Sequence, residues 1–137
     1  MDSTGLRAFE DAVDEVVSAD ILRLVELYDD DRAALADRGL VGTTLAHRAG
    51  EEATALAKMI AALPPGEQMR CHMPRYGVVF GLGSGDSLSV AICFRCNNAR
   101  TFEGRVEGWF TFDGGSTAAV RLLTLLRTMD PGSAHTS

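Results

Sequence analysis

The chain has no excess of positive charge, no long apolar run and too few cysteines for a disulfide framework. Its 137 residues carry 13 Lys and Arg against 19 Asp and Glu, a net charge of −6. A nucleic-acid binder needs a basic footprint to displace phosphate counterions, so nucleic acid is excluded as an expected partner. No stretch approaches the ~18 apolar residues of a membrane helix, and no membrane partner is expected. The segment from Met1 to Val13 is acidic and broken by charge, unlike a secretory leader, so the expected location is cytoplasmic. In that compartment the three cysteines would stay reduced, and an odd number cannot pair off completely.

A catalytic set is also missing from the pattern. His47 lies in an alanine-rich stretch, His135 lies near the end, and Ser84 and Ser116 stand in turns without a Gly-x-Ser-x-Gly elbow. Gly81-Leu-Gly-Ser-Gly-Asp86 has glycines that suggest a nucleotide loop. Such a loop must open a helix whose N-terminal amides hold phosphate, and Ser87-Leu-Ser-Val-Ala-Ile-Cys-Phe94 reads as a strand instead. The pattern leans against an enzyme without deciding the question, and no nucleotide cofactor is expected.

With 46% hydrophobic residues, the chain suits one compact domain over 1–130, followed by a flexible tail over 131–137. Phe9, Val13, Val16, Val17, Ile21, Leu24, Val25 and Tyr28 recur at three- and four-residue steps, which predicts helix over 6–28, with a break near Ser18 or Asp20. Asp29-Asp30-Asp31 caps a short predicted helix, Arg32–Arg38, that Gly39 stops. A further helix is predicted from Thr43 or Thr44 to Leu63, ended by Pro64-Pro65-Gly66. The period then changes. Strands are predicted at Arg70–Leu82 and Ser87–Cys96 around a four-residue turn, Gly83–Asp86, then at Arg100–Glu103 and Trp109–Phe112. Ser116 or Thr117 caps a last helix that Pro131 ends. The predicted class is α+β: N-terminal helices over 1–63, then an antiparallel meander of three or four strands and a C-terminal helix over 67–130.

The chemistry gathers in the hairpin, which holds Cys71, His72, Cys93 and Cys96. A two- or four-residue loop makes cross-strand partner numbers sum to an odd value, and partners share a face. Cys71 then faces with Cys96, and His72 with Cys93, on opposite sides of the sheet. A tetrahedral zinc site needs every ligand within roughly 2.3 Å of one ion, so it forms only if Cys93-Phe-Arg-Cys96 turns as a knuckle. Buried, inert thiols are the preferred reading. The same parity puts Val79, Val90, Ile92, Phe94 and Cys96 on the core face, and Tyr76, Val78, Phe80, Ala91, Cys93, Arg95 and Asn97 on the other. Any ligand or partner recognised by the hairpin is expected at its polar end, at His72, Arg75, Tyr76, Arg95 and Asn97.

Cys71-His-Met-Pro-Arg-Tyr-Gly77, followed by Ile92-Cys-Phe-Arg-Cys96 and Phe112-Asp113 before the last helix, resembles a pattern in a group of small bacterial proteins. Those proteins have Cys-x-x-Pro-Arg-His/Tyr-Gly, a hairpin, Cys-Phe-x-Cys and Phe-Asp. The resemblance covers roughly residues 69–128, and it implies a fold neighbourhood without an activity.

Charge supplies the functional expectation. Residues 1–63 carry 13 acidic and 6 basic side chains, against 6 and 7 in residues 64–137. A basic partner is drawn to the first part. The leading expectation is a non-catalytic, cytoplasmic protein-binding or regulatory domain, for instance an immunity-type inhibitor. The alternatives are a zinc-stabilised domain using Cys71, Cys93, Cys96 and His72, and a ligand-binding protein or enzyme using the polar hairpin end.

Overall fold

The computed structural model describes residues 4–24, 40–67, 74–103 and 106–131. Helix α1 (Thr4–Ala12) leads through a 3-10 turn (Val13–Glu15) into strand β1 (Val16–Leu24). Strand β2 (Gly42–Ala49) and helix α2 (Glu51–Ala61) follow. Then come β3 (Tyr76–Leu82), β4 (Ser87–Cys93), β5 (Asn98–Glu103), β6 (Val106–Thr111) and helix α3 (Thr117–Thr128). The strands form one six-stranded sheet in the order β2-β1-β3-β4-β5-β6, with every neighbouring pair antiparallel.

This corrects the expected architecture. The N-terminal part is not a set of helices, because it contributes two strands to a six-stranded sheet. The reason lies in an ambiguous period. Val17, Ile21 and Leu24 stand at helical steps, but the buried Ala19 and Ile21 alternate with the less buried Ser18 and Asp20. The β-branched Val16, Val17 and Ile21 decide in favour of extended backbone. In the second stretch, alanine content masked the β-branched pair Thr43-Thr44 between two glycines. Gly42 lies so close to the Arg23 carbonyl that a Cβ there would collide with backbone. Gly50, with φ 60°, ends β2 and turns the chain into α2. There Glu51 and Glu52 occupy a first turn whose dipole favours negative charge. The predicted end of that helix ahead of Pro64 agrees with the structure, and the predicted helix Arg32–Arg38 lies outside the described residues.

The second half matches expectation more closely: a four-stranded meander, then a helix whose N-cap Ser116 accepts the amide of Ala119 at 3.1 Å. Its hairpin turn differs by one residue. Leu82 N–H donates to the Asp86 carbonyl at 2.9 Å, leaving the three-residue loop Gly83-Ser84-Gly85, with Gly85 at φ 94°. Tyr76 therefore pairs with Ile92, Val78 with Val90 and Phe80 with Leu88, so partner numbers sum to an even value. That reverses the expected faces of β3 and leaves those of β4 as expected. Tyr76, Val78 and Phe80 join Val90 and Ile92 in the core, while Val79, Ala91 and Cys93 lie on the other side.

The three helices pack on the core face. Phe9 of α1 meets Phe80 edge-to-face with ring centres 5.3 Å apart, a contact worth about 1 kcal/mol beyond burial alone. Leu56 and Ile60 of α2 and Leu122 and Leu126 of α3 complete the same core.

Candidate functional site

The antiparallel register sorts the polar groups to the two ends of the sheet. One end holds the start of β3, the end of β1 and the residue that follows α3. Arg23 of β1 lies opposite Tyr76 of β3, and Leu24 N–H donates to the Arg75 carbonyl at 2.7 Å. Both arginines and the tyrosine converge on Asp130. Arg23 Nη1 donates to Oδ1 at 2.7 Å and the Tyr76 hydroxyl to Oδ2 at 2.9 Å, while Arg75 Nη2 stands 3.8 Å from Oδ2. The Asp130 side chain is fully buried, whereas those of Arg23 and Arg75 are 37% and 53% exposed.

A buried carboxylate just beyond the C-terminus of α3 faces two penalties, desolvation and the negative helix pole. Arg23 and Tyr76 offset both. Burial raises the Tyr76 pKa above its ordinary value of 10.0; the hydrogen bond to Asp130 and its negative charge act in the same direction, with Arg75 opposing them.

Of the expected ligand-binding residues, Arg75 and Tyr76 thus come together, joined by Arg23 and Asp130, which the sequence reading did not single out. The Asp130-Pro131 pair after the helix was the available signal. Arg95 is exposed in the β4–β5 turn. Asn97 takes a left-handed φ of 55° there, its carbonyl accepts from Phe112 N–H at 3.0 Å, and its side chain packs against Gly114. His72 lies outside the described residues.

Of the expected metal ligands, Cys71 and His72 both lie outside the described residues. Cys93 is buried, and its Sγ accepts the Cys96 amide at 3.2 Å. Cys96 is buried and disulfide-bonded, where a reduced thiol had been expected, and in that state its sulfur offers no thiolate to a metal. Among the described residues, no group of three His, Cys, Asp or Glu side chains is placed to hold a metal ion.

The opposite end of the sheet is acidic. The 3-10 turn with Asp14 and Glu15 packs on α2, which opens with Glu51 and Glu52, and Gly83 N–H of the hairpin loop donates to the Glu15 carbonyl at 2.8 Å. Asp86, just after that loop, and Glu103 at the end of β5 flank a shallow open depression. All six carboxylates are exposed. Arg48 lies 3.4 Å from Glu52 and offsets part of this charge.

Two further polar groups lie on the sheet face opposite the helices. Arg100 pairs bidentately with Glu107 at 2.8 and 2.7 Å beneath Trp109, whose Nε1–H donates to Glu107 at 2.8 Å. His47 Nδ1 lies 2.6 Å from Asp20 Oδ1 at an exposed cross-strand position. Each is a pair across adjacent strands, invisible until the register is known. No protein-family model, no curated protein and no solved structure matches this chain.

Proposed function

We propose that the protein is a non-catalytic binding domain that engages a basic protein partner through the acidic end of its sheet. The observation that supports this is the gathering of Asp14, Glu15, Glu51, Glu52, Asp86 and Glu103 from four separate parts of the chain into one exposed region. Glu10 and Asp11 add to it from the last turn of α1, which holds no basic residue. Negative charge at a helix C-terminus is unfavourable, and a cationic partner relieves it. Complementary fields of this kind speed encounter and select against acidic competitors.

The test is affinity capture from native lysate at low salt, with the wild-type chain beside a charge-reversed Asp14→Lys, Glu15→Lys, Glu51→Lys, Glu52→Lys variant. A stoichiometric basic protein, lost in the variant and released as salt screens the contact, is the expected result. No partner at low salt, or one that the variant retains, overturns the reading.

A further inference from the structure

Among the described residues, the Asp130 cluster sets two guanidinium groups against one buried carboxylate, and the two guanidinium groups are the members that reach water. Arg23 spends Nη1 on Asp130 Oδ1. Arg75 forms a looser ion pair, 3.8 Å from Oδ2, and with its side chain 53% exposed it presents further N–H donors to the solvent side.

We propose that Arg75 and Arg23, held at this end of the sheet by Asp130 and Tyr76, bind the oxyanion of a small ligand, a phosphate or a carboxylate. The site is built rather than incidental. Arg23 sits opposite Tyr76 in the β1–β3 ladder, and Arg75 immediately precedes Tyr76, so the sheet sets the separation of the two arginine backbones. The Leu24 amide to Arg75 carbonyl bond pins that corner. The Arg75 guanidinium lies 6.0 Å from the centre of the Tyr76 ring, and that ring is itself buried and anchored by its hydroxyl.

Guanidinium groups suit planar carboxylate and tetrahedral phosphate because their N–H groups diverge in a rigid fork. Asp130 already demonstrates the chemistry from the inside, occupying the inner donor of Arg23, and an external oxyanion completes the outer side. The nearby Asp130 charge and the C-terminal pole of α3 oppose the ligand, so affinity is modest, with a Kd of about a millimolar. The site lies at the opposite end of the sheet from the acidic region and does not depend on a protein partner.

The experiment titrates the full chain with inorganic phosphate and, separately, with acetate at constant ionic strength. It follows the Arg75 side-chain Nε–H and the Tyr76 amide by NMR. A saturable shift with either anion supports the proposal, and the anion that saturates at the lower concentration identifies the source of the oxyanion. Arg75→Gln should weaken binding about tenfold with little change in Tm, while Arg95→Gln, at an exposed arginine of the same end, leaves it unchanged. A linear, non-saturating response with both anions, or equal affinity in wild type and Arg75→Gln, overturns it.

Discussion

The two ends of the sheet treat charge in opposite ways. At one end Asp130 is withdrawn from water and tied by Arg23 and Tyr76; at the other, Asp14, Glu15, Glu51, Glu52, Asp86 and Glu103 stand in solvent. A charge removed from water must be neutralised locally, so its partners become part of the fold. A charge left in water costs little to keep and little to lose, and its influence acts on approaching molecules. The difference separates charge that holds the structure from charge that remains available for recognition.

The sharpest way to break this contrast is to remove the buried carboxylate's main partner. Arg23→Ala should cost about 2 kcal/mol in urea unfolding, less than a fully buried pair would because Arg23 is partly exposed and Arg75 and Tyr76 remain. A loss no larger than that of an ordinary surface substitution would mean that Asp130 is adequately held without it.

Next comes Tyr76→Phe, which removes one charge-assisted hydrogen bond and should cost about 1.5 kcal/mol near neutral pH. It also has a pH signature. Because the folded pKa of Tyr76 lies above its ordinary value of 10.0, the neutral phenol favours the fold. Stability from this group is complete below about pH 10 and is lost as pH rises from there through the folded value, since the unfolded chain releases the proton first. The alkaline loss should shrink in Tyr76→Phe; an identical alkaline profile would count against the buried phenol.

The smallest effect is expected at the acidic end. Neutralising the last turn of α1 with Glu10→Gln and Asp11→Asn should raise stability by about 0.5 kcal/mol at low salt and by nothing measurable at high salt. Clear destabilisation would show that these carboxylates hold the fold, and the contrast between the ends would disappear.

Much of the second half was legible in the sequence because its punctuation is unambiguous. Gly83 and Gly85 mark the hairpin, Asn97 a left-handed turn, and Ser116 a helix cap, and each has the local conformation its chemistry favours. What was not legible was the parity of the hairpin. Taking Asp86 as a loop residue, when it closes the ladder with Leu82, moved every side chain of β3 to the wrong face. The first half failed differently. The apolar spacing of Val16–Leu24 satisfies both periods, and the partners that resolve it, in β3, are more than 50 residues away. Half of the candidate site was read from Arg75 and Tyr76. The other half, Arg23 and Asp130, lies in a misread strand and just after a helix, and only the completed sheet brings them together.

The residue that anchors this corner is followed directly by Pro131. Asp–Pro peptide bonds are the acid-labile links of a chain, since the aspartic carboxyl attacks its own carbonyl and expels the basic proline nitrogen. While Asp130 is held by Arg23 and Tyr76, that attack is restrained. Once the corner opens, the scission is free to proceed. In mildly acidic buffer, release of the fragment 131–137, read by mass spectrometry, would serve as a built-in timer for how often this end of the molecule comes undone.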